Sequence, residues 1–140
     1  MNAMKACTPF LALALVAIAV FTGCTKEKYA ANNAAGADWL EANRGSASTS
    51  VAGTWESIGD SWGSIRLMQS GSNISGAIGS YSVKGVMRGS RAYLLLASNG
   101  WNYYTAILTR SGDALVGFYS SSVPFSPADQ AAMTLRKVGL

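Results

Sequence analysis

Short segments with β propensity follow one another at near-regular spacing from Gly53 onward, and this spacing constrains the fold more than any other feature of the chain. Gly, Ser, Asn or Asp, which favour turns, bound each segment. Most links between them are too short for a parallel crossover but suit antiparallel hairpins. The sequence therefore predicts an antiparallel up-and-down sheet. Its eight predicted strands are residues 53–58, 62–69, 73–79, 82–87, 91–97, 101–109, 114–119 and 132–138.

Alternation within the segments supports this interpretation, since Ile65 and Leu67 would share one face of a strand. A meander of eight short strands closes most naturally into a barrel, because closure removes exposed sheet edges. Gly76, Gly85 and Gly117 fall inside strands, where glycine permits the bends of a small barrel. The predicted fold class is all-β, an eight-stranded up-and-down antiparallel barrel with a short helical turn before the last strand, preceded by a flexible tether.

Local signals place the turns and the helical pieces. Asn99-Gly100 is the strongest hairpin signal, because both residues tolerate positive φ. The run from Ser126 to Asp129 has the pattern of a capping box with proline at the first helical position. The sequence of residues 37–45 predicts a short helix. Its Trp39 and Leu40 would dock either on the barrel, which we favour because so short a helix is marginal alone, or on a partner. The Gly, Ser, Ala and Thr residues at 45–50 predict the tether.

The barrel segment also carries family motifs. It opens on Gly53-Thr54-Trp55, contains Leu115-Val116-Gly117 and closes with a strand that includes Arg136. In these features it resembles small lipocalin-like and avidin-like meander barrels. The resemblance implies that Trp55 closes the barrel floor beneath an Arg or Lys of the final strand, for which we take Arg136. Relatives of this kind bind small apolar or ring-shaped ligands.

The N-terminus has the three parts of an export signal: the positive charge of Lys5, an unbroken apolar run over residues 10–21, and a small-residue exit at Thr22-Gly23-Cys24. The whole resembles a bacterial lipoprotein signal. The resemblance implies that residues 1–23 are removed and that Cys24 carries the lipid anchor, palmitate included. An uncleaved span would need about 20 apolar residues, more than this run supplies. An ordinary secretory signal remains the alternative.

This interpretation divides the chain into a signal peptide (residues 1–23), an acylated N-terminus and linker with a short helix (residues 24–52), and a β-barrel domain (residues 53–140). Lipoproteins retained in the inner membrane carry Asp after the lipidated cysteine, whereas this chain has Thr25. The resemblance therefore implies an outer-membrane anchor, with the barrel in the periplasm.

Composition excludes several kinds of chemistry. The chain has no histidine, and its two cysteines are Cys7, inside the signal, and Cys24. The mature barrel would therefore hold no thiol and no disulfide, and zinc sites, Cys/His nucleophiles and Ser-His-Asp triads are excluded. The net charge is only +4, and the sequence has no dense run of Lys and Arg of the kind that marks a nucleic-acid-binding protein. We predict no metal, no cofactor and no nucleic-acid partner.

The carboxylates of the barrel do not suggest an enzyme. Asp60 and Asp113 have the positions of turn residues, and Asp129 that of a cap, which leaves Glu56 without an opposed partner for acid–base chemistry. The aromatic residues are more informative, although most are expected in the core.

Trp101, Tyr103 and Tyr104 crowd a hairpin where the core needs no aromatic residue. They are the predicted partner surface, since Trp and Tyr are enriched in binding hot spots. The function predicted is a lipid-anchored envelope protein that binds a protein partner without catalysis, in an accessory, inhibitory or immunity-type role. The alternative is a lipocalin-like carrier of a small apolar ligand.

Overall fold

A computed structural model of the chain describes residues 14–139, with side chains from residue 26 onward. Each strand pairs antiparallel with the next, and β1 pairs with β8, which closes the barrel and confirms the predicted fold class. Helix α1 (Ala14–Asn43) precedes the barrel, and a 3₁₀ turn (Pro127–Asp129) precedes the last strand. The strands are β1 (Gly53–Ser57), β2 (Ile65–Ser70), β3 (Asn73–Ile78), β4 (Tyr81–Arg88), β5 (Arg91–Ser98), β6 (Trp101–Ser111), β7 (Ala114–Ser120) and β8 (Gln130–Lys137).

Strand ends and turns follow the predictions closely. The largest difference is in β2, which begins at Ile65 and not at Trp62. The Trp62 ring turns into the mouth of the barrel and packs against tyrosine rings, so this part of the chain forms a loop. The predicted turn is confirmed, since Asn99 and Gly100 have φ angles of 53° and 80°. Both residues of a type I′ hairpin need such positive angles.

Alternate side chains of the strands fill the interior of the barrel. Large side chains with at most 1% exposure, such as Trp55, Leu94 and Leu108, occupy it from one end to the other. The buried residues of this core are Val51, Trp55, Ile65, Leu67, Ile74, Ile78, Val83, Met87, Ala92, Leu94, Leu96, Ala106, Leu108, Leu115, Met133 and Leu135.

Two of the strand glycines allow neighbouring strands to approach closely. A Cβ atom at Gly76 would overlap the carbonyl oxygen of Arg66, and one at Gly117 would overlap that of Ile107. Both glycines take inward positions next to large core residues. Glycine is therefore required at these positions by the tight coiling of a small barrel.

Helix α1 is much longer than the helix predicted for residues 37–45. It lies across the outer faces of β4, β5 and β6. Leu40 is buried against Val86 and Leu95. Trp39 meets Tyr93 edge-to-face, with 5.8 Å between ring centroids. The predicted docking of Trp39 and Leu40 on the barrel is confirmed.

The connection between α1 and β1 also differs from the prediction. The amide of Gly45 donates to the carbonyl of Met87, and the amide of Ser48 donates to that of Gly89, each at 2.9 Å. These bonds hold residues 45–50 along the turn between β4 and β5. The segment that composition marks as a flexible tether is therefore an ordered connection, because its backbone groups find partners on the barrel.

The helical turn before β8 is confirmed, but its cap differs from a capping box. The Ser126 hydroxyl accepts from the Ala128 amide at 3.3 Å, and proline stands at the first helical position. The Asp129 carboxylate does not return to the Ser126 amide, which instead donates to the Ser120 hydroxyl. Asp129 accepts hydrogen bonds from a run of serine hydroxyls.

Candidate functional site

The two ends of the barrel have different chemistry. The aromatic end is formed by the loops that follow β1, β3, β5 and β7. The Trp55 end is formed by the start of β1 and by the turns after β2, β4 and β6. Helix α1 runs along the wall between the two ends. Tyr29 of α1 meets Trp101 edge-to-face at the aromatic end, with 5.2 Å between ring centroids. Arg44, the residue after the helix, hydrogen-bonds Asn73 at the Trp55 end.

Trp55 lies at the floor of the barrel with 1% exposure. Its indole N–H donates to the carbonyl of Val51 at 3.0 Å. The guanidinium of Arg110 stands over the ring, 5.4 Å from its centroid, and donates to the carbonyls of Ser50 and Gly112. The Trp55 end is therefore closed by a cation–π pair that also fastens the chain entering β1.

Arg136, expected beside Trp55, lies elsewhere. Its guanidinium projects from the outer wall, is 62% exposed and pairs with Glu56 at 2.8 Å. The cause is strand alternation: Leu135 faces inward, so the next residue must face outward. The same rule places Arg110 inward, two residues beyond Leu108. Strand alternation is therefore the sequence signal that places Arg110 inside and Arg136 outside.

The predicted partner surface is not one surface. Trp101 packs on Tyr29 of α1, and Tyr104 points into the barrel against Trp62. Only Tyr103 projects from the wall, with 46% exposure. A β-bulge separates these residues, because β6 pairs Tyr104 with Leu96 but Asn102, and not Tyr103, with Ala97. Trp101, Tyr103 and Tyr104 therefore do not share one exposed face, and their role in binding a partner stays a prediction.

Aromatic rings close the aromatic end. The Trp62 ring makes edge-to-face contacts with Tyr119 and Tyr104, with centroids 5.0 and 5.4 Å away, and a longer one with Tyr81. Burial raises the pKa of Tyr81, and the neighbouring Tyr104 raises it further. A shallow depression of about 390 Å³, with Asp60 at its rim, opens over these rings. The sequence predicted Trp62 at the start of β2, whereas it lies in the loop before that strand and reaches this cluster from there.

A second depression lies on the side of the barrel. It is a groove of about 590 Å³ between α1 and the outer faces of β4 and β5. Glu41, Arg44 and Lys84 are its charged lining residues. Arg44 already pairs with Glu41 at 2.7 Å, so the groove offers a charged edge but no concentrated charge of one sign.

The outer side of β7 carries an exposed apolar patch. Val116 and Phe118 stand two residues apart on the same side of the strand and are 46% and 44% exposed. Phe118 is opposite Ile107 of β6. We call Val116, Phe118 and Ile107 the β7 face. By contrast, the outward positions of β1 are Thr54 and Glu56, and the apolar outward positions of β4 and β5 are covered by α1.

Asp129 organises the loop before β8. Its carboxylate accepts hydrogen bonds from the hydroxyls of Ser120, Ser121 and Ser122. The Ser120 bond, followed by the Ser122 bond, lowers the pKa of Asp129. The loop is thus fixed around a carboxylate whose acceptor sites are occupied by its own chain, which is a structural arrangement.

Between residues 14 and 139 no group of three or more acidic, cysteine or histidine residues is placed to hold a metal ion. No helix of this region has the length and apolarity needed to cross a bilayer. The side chain of Cys24 and the signal segment up to residue 13 lie outside the described residues.

No family model, curated protein or solved structure matches this chain.

Proposed function

We propose that this chain is a lipid-anchored protein of the bacterial cell envelope, attached through Cys24, whose barrel binds a partner protein without catalysing a reaction. The anchor is supported by the charge, apolar run and small-residue exit that precede Cys24. Thr25 after the cysteine favours the outer membrane, with the barrel in the periplasm. Accessory, inhibitory and immunity-type roles all fit such a module.

The observation that carries the binding role is the β7 face. Two large apolar side chains, each nearly half exposed, project side by side from a wall that is otherwise polar or covered over much of its circumference. A contiguous exposed apolar patch on a small protein is characteristic of an interaction site. Phe118 offers the rigid aromatic anchor that protein interfaces use at their centres.

The interior of the barrel weighs against the carrier role. A carrier needs an apolar cavity inside its wall, lined by side chains that leave room for a ligand. Here the side chains of Trp55, Leu94 and Leu108 fill the interior of the barrel, and they are fully or almost fully buried. Both depressions described above lie outside this packed core. Binding through the outer wall is the better-supported alternative.

Two measurements on cells that express the full chain test the proposal. The first is the intact mass of the membrane-extracted protein, which is expected to show a lipid-modified N-terminus at Cys24. The second places a photo-crosslinking phenylalanine analogue at position 118 or, as a control, at Met68. Met68 is 51% exposed and outward on β2, but it stands alone between Arg66 and Ser70.

A discrete crosslinked species from position 118, absent from position 68, is the expected outcome. Phe118→Ser should suppress the same species when the crosslinker is at Val116, because it removes the aromatic anchor of the patch. Equal labelling at 118 and 68, or no adduct at either, would show that the β7 face is not an interface. An unmodified N-terminal mass would remove the anchor from the proposal.

A further inference from the structure

Helix α1 is fastened to the barrel close to the lipidation site. The Asn32 side chain accepts from the Asn102 amide at 2.8 Å and donates to the Asn102 carbonyl at 3.1 Å. One turn further on, Gly36 lies so close to the barrel that a Cβ atom there would be 2.7 Å from the Asn102 side-chain nitrogen. Tyr29 adds its contact with Trp101. All these contacts lie at or near the aromatic end.

The chain between this fastening and Cys24 is short. Five residue steps separate Tyr29 from Cys24. They span about 7.5 Å as a helix, and no more than about 18 Å when fully extended. The ten steps of β6 along the barrel wall cover about 34 Å, or roughly 25 Å along the axis of a tilted barrel. A lipid on Cys24 therefore brings the aromatic end, and not the Trp55 end, to the bilayer.

The chemistry of this end suits a headgroup region. Tyr29, Ile58 and Tyr103 are exposed there by 42%, 42% and 46%. The partly buried ring of Trp62 lies in the mouth behind them. Trp and Tyr rings, apolar in the body and polar at the tip, concentrate at membrane–water interfaces.

The charges around this end are mixed. Lys26 and Lys28 are exposed on α1 just after Cys24, where they would attract anionic lipids, while Glu27 and the rim residue Asp60 oppose them. Any contact of this end with a membrane therefore depends mainly on its aromatic and apolar side chains and on the short anchor.

We propose that the aromatic end of the barrel rests on the phospholipid headgroups of the membrane that holds Cys24, with the β7 face turned sideways and free. This orientation rests on the proposed acylation of Cys24. It follows because the connection at residues 45–50 and helix α1 are both ordered against the barrel wall, whereas a flexible tether would leave the orientation open.

Two exposed serines at opposite ends allow a matched test. Ser61 lies in the loop after β1, at the aromatic end, and Ser111 lies at the end of β6, at the Trp55 end. Since the acylated chain has no free thiol, Ser61→Cys and Ser111→Cys each give one labelling position. The full acylated chain, labelled with a fluorophore, is placed in phosphatidylethanolamine–phosphatidylglycerol vesicles that contain headgroup spin-labelled phosphatidylcholine.

The label at 61 is expected to be quenched several-fold more strongly than the label at 111. Equal quenching, or stronger quenching at 111, in protein whose mass shows the lipid would overturn the orientation and leave the anchor intact. A mass without lipid would overturn the anchor and, with it, this inference. Circular dichroism of both variants confirms that the barrel is folded, and since both serines are exposed, neither substitution disturbs the core.

Discussion

At the scale of single residues, Arg110 and Arg136 are the clearest pair to compare. Arg110 stands over the buried ring of Trp55 and donates to two carbonyls, whereas Arg136 makes an exposed pair with Glu56. We expect Arg110→Met to lower the free energy of unfolding by about 1–3 kcal/mol. Arg136→Met should lower it by no more than about 1 kcal/mol, as for other surface ion pairs. Urea denaturation of the mature chain measures both.

A larger loss of unfolding free energy in Arg136→Met than in Arg110→Met would mean that Arg136 stabilises the barrel floor, as the family resemblance implies. Arg110→Lys adds a control. Lysine keeps the charge but lacks the planar guanidinium that bonds two carbonyls. The free energy of unfolding of Arg110→Lys should therefore lie between those of the wild type and Arg110→Met.

The loop carboxylate Asp129 makes stability depend on pH. Serine hydroxyls lower its pKa in the folded chain, so it binds a proton less readily there than in the unfolded chain. Its contribution is present above the ordinary carboxyl range of about pH 4 and is lost as pH falls through the lowered folded value. Asp129→Asn should therefore destabilise the protein at neutral pH, and its difference from wild type should shrink in acid.

Urea denaturation of both proteins at neutral and acidic pH measures this difference. Ser122→Ala leaves two hydroxyl donors on the carboxylate and should keep most of the pH dependence. A gap between Asp129→Asn and wild type that is constant with pH would contradict the assignment.

At the scale of elements, the fastening of α1 is the feature to test. Asn32 bonds Asn102 across 70 positions of sequence, while its neighbour Asn33 is exposed. Asn32→Ala leaves the polar groups of Asn102 without these partners, at a cost of about 1–3 kcal/mol. Hydrogen exchange should accelerate in residues 26–43 and stay unchanged in the barrel. Asn33→Ala should change neither, and acceleration of equal size in both variants would contradict the role of Asn32.

Most strands could be predicted because their signals are local. Turn residues such as Asn99-Gly100 mark where each strand ends, and alternation marks its faces. The extent of α1 could not be predicted in this way, since residues 25–36 have no apolar period and are held by distant partners such as Asn102. The helix is thus stabilised by tertiary contacts and not by its own sequence pattern.

The candidate sites were predictable in part for the same reason. Alternation alone would have placed Arg110 inside and Arg136 outside. It would not have placed Asn102, which the bulge beside Tyr103 turns outward to meet α1. A bulge depends on the register between two paired strands, so the sequence of one strand alone does not predict it.

At the scale of the whole molecule, the barrel is a packed body whose wall and ends carry the chemistry. Its interior is filled by residues such as Leu94, while the exposed apolar side chains include Phe118 on the wall and Tyr103 near the aromatic end. This distribution suits a module that meets other surfaces. It also makes the two proposed contacts compatible, since a barrel whose aromatic end rests on a membrane keeps its side wall accessible to a protein.

The filled interior leads to a prediction about apolar ligands. The wild-type chain should give an unliganded native mass spectrum, and benzene should not raise its melting temperature. Leu94→Ala should lower the free energy of unfolding by about 2–5 kcal/mol, because it leaves a cavity in the core. An apolar cavity of this kind stays dry and accepts small apolar molecules, so benzene should raise the melting temperature of this variant.

Met68→Ala is the matched control, since it truncates a side chain that is 51% exposed and opens no cavity. Benzene should leave its melting temperature unchanged. A small molecule that co-purifies with the wild-type barrel, or a benzene effect as large in wild type as in Leu94→Ala, would show that the interior already holds a ligand space. The carrier role would then replace the binding role, because an open interior is the one property that a carrier requires and a surface-binding module does not.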